Sequence, residues 1–402
     1  CGERSFVAHV DDRISQLPDD ILEAARTSVL SSRWINLWKH TPSLDFDDKS
    51  VLSKIYNQDE VLKIERRKYV KWVNSVLRSH KSTVLKEFRI HFPLNTSGRK
   101  KITRWLEFAL SRQVQKLELD IHNYHDPCKE YLFPDGFLIP SSCRDNNPCM
   151  LVDFKSLRSL SLKSVSVSDG DINFFLDNCP LLEQLIVHES EKVSNLEICG
   201  SSLKLKHLEI VLCSKLESLK VSVPGLTSLT VTSLDGLLIE NVPMLVDVST
   251  LSLVLDNVEG RRVLGELLEL PQMPKLKKLE IEYIARGDES LSRLAALIRA
   301  SPHLEEFVFQ LNWYLHPRKD REVKATISSP HHHLKLFKFG GYYGSPSDVE
   351  LLSYVLGNCV VLEKIIIGTH SVCLPELEES ARKTAKQQLP PQIPRHIELV
   401  IL

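Results

Sequence analysis

Cysteine is sparse and unpatterned in this chain: nine residues in 402, with no Cys-x-x-Cys pair. That excludes a disulfide framework or a common zinc module as its organising principle, and buried free thiols in a reducing compartment are the simplest account of Cys179, Cys199 and Cys359. Charge of one sign is also missing, because 51 Lys and Arg stand against 52 Asp and Glu for a formal charge of -1. There is no global basic field to gather nucleic acid or an anionic membrane, so neither is expected as a partner. No apolar run approaches the roughly 20 residues that cross a bilayer, and the opening CGERSFVAHVDD lacks the apolar core of a signal peptide. A soluble protein of the nucleus and/or cytoplasm is the expectation. The sequence opens on Cys1 rather than Met, which leaves the natural start open. Chemistry-bearing motifs are absent as well. SGRKKIT at 97–103 has a single Gly and lacks phosphate-cradling spacing, and no GxSxG, HExxH or Cys-His signature frames the many acids and hydroxyls. No catalytic residue, metal ligand or cofactor follows from these residues, and a hydrolase on this scaffold has no motif behind it.

What is abundant is leucine, 63 residues, about one in six and above ordinary globular usage. Many of them recur in one phrase: an apolar residue, two variable ones, an apolar one, a variable one and a final apolar one. It starts at Leu85, Val114, Leu157, Leu182, Leu205, Leu226, Val248, Leu276, Leu304, Leu334 and Leu362, at intervals of 21 to 30 residues with one of 43. Those intervals lie in or just above the leucine-rich-repeat range, and the long one holds the polar insertion 120–150. Inside the phrase, alternation such as Leu208-Glu209-Ile210 is the period-2 signature of a short strand with one face inward. Between widely spaced copies the period becomes helical, as in 288–306 and 348–364, each after an Asp (Asp288, Asp348) that can cap a helix start. From 182 to 253 there is too little chain for a proper helix. A second phrase appears midway, in VSNLEI (193–198), LESLKV (216–221) and LLIE (237–240), and predicts short outer strands instead.

Units of this size bury their apolar faces only by stacking. The expected fold is therefore α/β: a leucine-rich-repeat solenoid, a curved parallel sheet with outer helices or short strands. DNCPLLEQLIV (177–187) and GNCVVLEKIII (357–367) look like the subclass of repeats in which Cys fills the tight turn before the strand and ends a helix. The competing reading, a doubly wound sheet, calls for long apolar strands and a glycine-rich first loop, neither of which is present.

Several residues admit a sharper and a blander reading. His122, His125, Cys128, Cys143 and Cys149 offer zinc-type donors, but their spacing matches no common module and a surface loop is the plainer account. His331, His332 and His333 read as a solvated turn before a strand. Arg66-Arg67-Lys68 and Arg99-Lys100-Lys101 fit helix surfaces, with a nuclear-import signal as the alternative. Asn95-Thr96-Ser97 has the form of a glycosylation sequon without a secretory signal.

Residues 11–48 hold no copy of the phrase. Pro18 followed by Asp19 and Asp20 signals a helix start, and Trp34 and Trp38 join Val29, Leu30, Ile35 and Leu37 in an aromatic-rich apolar cluster, which would suit a cap on the repeat stack. DRISQLPDDIL and RTSVLSSRWINLWKHTPSLDF resemble the two ends of the F-box in the large land-plant class of F-box proteins with leucine-rich repeats. From about Ser329 the chain is similar to the FBD module of the same class, through LKLFKFGGYYG, DVELLSYVLGNC, VLEKIII and the closing helix and Pro-rich strand. The resemblance implies a truncated F-box at 11–48, repeats at 49–328 and an FBD-like module at 329–402 that continues them. It departs from the family at one point: members carry a further apolar helix and a Leu-Pro turn where Leu22 here runs straight into Glu23.

By that resemblance the chain is a non-catalytic substrate-recognition subunit of an SCF-type ubiquitin ligase. It would meet a Skp-type adaptor, and through it a cullin, with Leu17, Pro18, Ile21, Leu22, Val29 and Leu30. The open alternative is a leucine-rich-repeat scaffold that no longer engages the ligase, because the missing helix removes interface area. A protein target would be read on the concave strand face, at the residue between the last two apolar positions of each phrase: Arg89, Glu118, Ser161, Ile186, Glu209, Thr230, Ser252, Glu280, Val308, Lys338 and Ile366.

Overall fold

In a computed structural model the chain is described at residues 37–47, 59–94, 98–122, 131–134, 154–234, 248–256, 272–285, 290–291, 294–313, 329–370 and 377–402. It divides into two compact units, Cys1–Ser166 with Phe174–Leu182, and Val167–Asn173 with Glu183–Leu402.

The first unit contains β1 (Ser43–Asp47), β2 (Glu87–His91), β3 (Lys116–Asp120), β4 (Tyr131–Leu132), β5 (Ser159–Lys163) and β6 (Val165–Ser166), with helices α1 (Asp59–Ser79) and α2 (Arg99–Leu110). Strands β1, β2, β3 and β5 are parallel neighbours in that order, and β4 pairs with β6 in a separate ribbon. Alternation sets the faces. Leu44, Phe46, Phe88, Ile90, Leu117, Leu119, Leu160 and Leu162 point inward and are buried, while the residues between them face the other way. Helix α2 buries Ile102, Trp105, Leu106, Ala109 and Leu110, one stripe at helical spacing. Tyr69 of α1 stacks on Phe92 at 4.2 Å and donates its hydroxyl to the Phe46 carbonyl, and Trp105 Nε1 donates to Asn74 Oδ1 at 2.9 Å. The polar ends of these buried rings thus find partners, as burial requires.

The second unit carries β7 (Gln184–His188), β8 (Asn195–Cys199), β9 (His207–Val211), β10 (Ser218–Ser222), β11 (Ser228–Leu234), β12 (Thr250–Asp256), β13 (Lys278–Ala285), β14 (Glu306–Trp313), β15 (Leu336–Gly340), β16 (Lys364–Ile367) and β17 (Glu398–Ile401). Helix α3 (Asp169–Asn178) divides between the units at 173/174, and α4 (Leu294–Ala300), α5 (Pro346–Asn358) and α6 (Glu378–Gln388) belong to the second. Strands β7, β9, β11, β12, β13, β14, β15, β16 and β17 run parallel in that order. The second phrases VSNLEI and LESLKV become β8 and β10, paired parallel as the outer layer where no helix fits. LLIE at 237–240 lies outside the described residues. Inside the sheet Phe307 stacks on Phe337 at 5.4 Å, and Phe309 meets Phe339 edge-on at 5.2 Å.

Two hydrogen-bonding devices recur where the repeats open. First, the leading apolar residue donates its N–H to the carbonyl three residues back: Leu157 to Phe154, Leu182 to Cys179, Leu226 to Val223, Leu276 to Met273, Leu304 to Ser301 and Leu362 to Cys359. Second, two consecutive N–H groups at the strand entrance share one carbonyl of the preceding repeat. Lys86 and Glu87 thus donate to Pro42, Lys206 and His207 to Glu183, Lys277 and Lys278 to Ser249, and Glu363 and Lys364 to Lys335. Backbone groups that the turn would leave unpaired are satisfied this way, and the register is fixed where the devices occur. Cys179 and Cys359 occupy the turn at a helix end, as the sequence suggests: the Cys359 N–H donates to Val355 O and the Cys179 N–H to Phe175 O, both at 2.9 Å.

Four expectations need amendment. Leu44-Asp45-Phe46, within the stretch 11–48 that shows no phrase, is strand β1 of the repeat sheet; its leading position is polar Thr41, which hid it. Asp348 is not the helix cap. Ser345 is, with Asp348 three residues later completing a reciprocal capping box. Cys199 is exposed, because it ends the short outer strand β8, whereas Cys179, Cys213 and Cys359 are buried. His331 is buried rather than solvated. Its Nε2 lies 2.9 Å from Ser301 O and its Nδ1 accepts from Leu334 N at 3.1 Å, which fixes a neutral ring with the proton on Nε2. Burial, only partly opposed by the Ser301 bond, holds its pKa below the ordinary value. His332 and His333 are exposed, in keeping with a turn.

Candidate protein-binding face

Residues that face away from the apolar interior line up across the strands, because parallel register sets equivalent positions side by side. In the first unit the middle row is Asp45, Arg89, Glu118 and Ser161. In the second it is Ile186, Glu209, Thr230, Ser252, Glu280, Val308, Lys338, Ile366 and Val400. Every position named from the phrase as a candidate target contact therefore falls in one of these two rows. Asp45 and Val400 complete the two rows without carrying the phrase, since both strands lack an apolar leading residue (Thr41, His396).

The first unit's row is occupied by its own ion pairs. Arg89 bridges Glu118 at 2.9 Å and Asp45 at 3.3 Å, Lys163 reaches Glu118 at 3.6 Å, Lys116 meets Glu87 at 2.8 Å, and His91 lies 3.2 Å from Asp47. Burial raises the Asp45 carboxyl above its ordinary range more than Arg89 lowers it. At Glu87 the bond and charge of Lys116 overcome the burial penalty and the pKa falls. Ser161 is only 4% exposed and so offers almost no contact surface. A partner here would first have to displace pairs already made.

The second unit's row is different. Ile186, Glu209, Thr230, Ser252, Glu280 and Val308 are half-buried and Lys338 is exposed. Strands β11 and β12 put small uncharged side chains in consecutive rows, Ser228 beside Thr250 and Thr230 beside Ser252. Acids border them on both sides. Glu209 sits 3.2 Å from His188, and Glu280 takes Lys278 at 2.8 Å, a hydrogen bond that raises the lysine pKa. Beyond Glu280 a chain of amides runs from Gln310 Nε2 to Asn312 Oδ1 (3.3 Å) and from Asn312 Nδ2 to Glu282 Oε1 (2.8 Å). The phrase ends before these residues; the signal that reaches them is alternation continued through KLEIEYIA (278–285) and EFVFQLNW (306–313). Chemically this is a hydrogen-bonding floor of small uncharged side chains, edged by acids that already hold His188 and Lys278, and it suits a polar protein segment.

The remaining candidates are placed as follows. Leu17, Pro18, Ile21, Leu22, Val29 and Leu30 lie outside the described residues, as do Trp34, His125, Cys128, Cys143, Cys149 and the sequon. His122 Nδ1 is 2.9 Å from Ser164 Oγ. Among the described residues no group of three or more His, Cys, Asp or Glu could hold a metal ion, and no helix is long and apolar enough to cross a membrane. The basic triplets fall on α1, where Arg66 Nε donates to Pro93 O at 2.7 Å, and at the start of α2.

Parallel strands in register, repeated turns and the Cys-filled corner define a leucine-rich-repeat protein. The chain belongs to the family described as "At1g61320/AtMIF1, LRR domain", whose model matches residues 76–390. Among curated proteins of Arabidopsis thaliana it is similar to the FBD-associated F-box protein At3g52670, 27% identical over 406 aligned residues, covering 92% of this chain and 91% of that protein. It is likewise similar to F-box/LRR-repeat protein 25, 30% identical over 52% of this chain and 79% of that protein. Against the putative F-box/LRR-repeat protein At5g02700 it is 33% identical over 43% of this chain, but spans only 38% of that longer relative.

Proposed function

We propose that this protein is the target-recognition subunit of an SCF-type ubiquitin ligase. In this reading it binds a protein target on the second unit's open row and a Skp-type adaptor, and through it a cullin, with Leu17, Pro18, Ile21, Leu22, Val29 and Leu30. The observation that carries the reading is the pairing of F-box-like ends at 11–48 with a repeat sheet, in a chain whose relatives are named as F-box and leucine-rich-repeat proteins. Such a subunit does no covalent chemistry. It holds a target near a charged conjugating enzyme and raises the effective concentration of the target's lysines there. The nucleus and/or cytoplasm is where this work would be done, which a fluorescent fusion would locate.

A second reading is favoured by one feature: Leu22 runs straight into Glu23, without the further helix that the F-box resemblance leads one to expect there. The protein would then bind its target as a scaffold, or compete with intact relatives, without recruiting the ligase. Co-purification with a Skp-type adaptor, beside a version with the helix restored, separates the two. Capture by the chain as it stands supports the receptor; capture by the restored version alone assigns the scaffold.

A further inference from the structure

The motif Phe339-Gly340-Gly341-Tyr342-Tyr343-Gly344 ends β15 and turns away from it; it contributes nothing to the middle row, yet it is tightly built. At Gly341 φ is 75°, and a Cβ there would stand 1.8 Å from Leu311 O. At Gly344 φ is 84°, and a Cβ would stand 2.6 Å from Thr384 Cγ2. Only glycine suits either place. Tyr342 N donates to Gly368 O at 3.0 Å, while Asp348 Oδ2 gathers the N–H groups of Tyr343, Gly344 and Ser345 at 2.9, 2.8 and 3.0 Å. The turn is held against the start of α6. There Gly341, Tyr342 and Tyr343 join Trp313, Thr369, Leu377 and Ala381 around a half-open pocket of about 230 Å3, much of it open to solvent.

Two of these lining residues carry polar atoms that are buried and unpartnered, Trp313 Nε1 and Thr369 Oγ1, and each residue is 4% exposed. Buried polar groups are almost always satisfied, so such a pair in one pocket calls for an occupant. An indole N–H can only donate and a hydroxyl can donate or accept, so one oxygen with two lone pairs satisfies both. Among the described residues the lining holds no Lys, Arg or His, and the buried Asp348 carboxylate is bonded into the same turn. A carboxylate or phosphate would enter uncompensated, which disfavours an anion. The enclosed part is about the size of one water molecule, so an oxygen enters while the rest of its molecule stays in the open mouth.

We propose that this pocket is a binding site for a neutral amide carbonyl, whose oxygen accepts from Trp313 Nε1 and Thr369 Oγ1 while its substituents pack on Tyr342, Tyr343 and Leu377. The assignment stands apart from the adaptor and from the open row, and it gives the glycine-tyrosine turn a function.

The test follows the indole N–H signals of the full chain by nuclear magnetic resonance during titration with N-methylacetamide, with acetate as the charged control. The chain has five tryptophans, and loss of one signal in Trp313→Phe assigns the relevant one. The expected result is a saturable shift of that signal with the amide and none with acetate. Thr369→Val, nearly isosteric and so safe for the fold, should weaken amide binding about three- to tenfold, the net worth of one hydrogen bond. A blocked dipeptide that binds more tightly than N-methylacetamide would make a peptide segment the source of the carbonyl, and equal binding would make it any small amide. No shift, an equal response to acetate, unchanged affinity in Thr369→Val, or a crystal grown with the amide that shows a lone water between the two atoms would each overturn the assignment.

Discussion

Asp348 offers the sharpest test of how the carboxy-terminal repeats hold together. It is fully buried, its Oδ2 accepts three consecutive backbone N–H groups, and its own N–H donates to Ser345 Oγ at 3.3 Å. Replacing it by Ala strands three donors, each worth about 1–3 kcal/mol when buried and unsatisfied. Some reach water once the turn relaxes, so a total of about 3–5 kcal/mol is expected, a large fraction of ordinary domain stability. Asp348→Asn keeps an acceptor oxygen and should cost within about 1 kcal/mol at neutral pH, because it also removes a buried charge. Burial, only partly offset by the backbone bonds, pushes the Asp348 pKa from 3.8 up to about 6. The native state therefore binds the proton before the unfolded state does. This group's contribution to stability rises as pH falls from about 6 to 3.8, by about 2–3 kcal/mol, and the slope should vanish in Asp348→Asn. Urea unfolding of the three proteins across that range gives the magnitudes, and amide exchange at Tyr343, Gly344 and Ser345 gives the location. An Ala variant within 1 kcal/mol of the parent, or an Asn variant as damaged as the Ala one, would refute the reasoning.

Other outcomes follow from single observations. Phe337 is fully buried and stacked on Phe307, so Phe337→Ala should cost about 3–5 kcal/mol in urea unfolding, whereas a loss below 1 kcal/mol would mean that the neighbours close the cavity. His331 titrates in the opposite sense to Asp348. Its folded pKa is lowered from 6.5, so the unfolded state takes the proton first and stability falls as pH drops below 6.5; His331→Gln should remove that slope in the same titration. Charge reversal at Glu209 or Glu280, both half-exposed, should leave the unfolding midpoint nearly unchanged, within about 0.5 kcal/mol, and weaken only capture of the target. Global unfolding by either change would make those positions structural.

Leucine at fixed phrase positions was enough to predict parallel strands, their inward faces and the row of outward residues from Arg89 to Ile366, because a period of two leaves no freedom once one face is apolar. The Cys-filled turns at 179 and 359 and the replacement of helices by β8 and β10 were legible for the same reason: spacing limits what can fit between strands. Contacts between residues far apart in sequence were not legible. Nothing local distinguishes Ser161, which is buried, from Ser252, which is half-buried, or tells that Arg89 is already engaged by Asp45 and Glu118 from adjacent strands. His331 read as a surface turn until Ser301, thirty positions earlier, supplied an acceptor for its ring, and β1 stayed hidden because its leading residue is polar. Patterning of apolar residues decides which way a side chain points. Whether that side chain is free to meet a partner depends on the charges and cover that neighbouring repeats bring to it, and only the assembled structure fixes those.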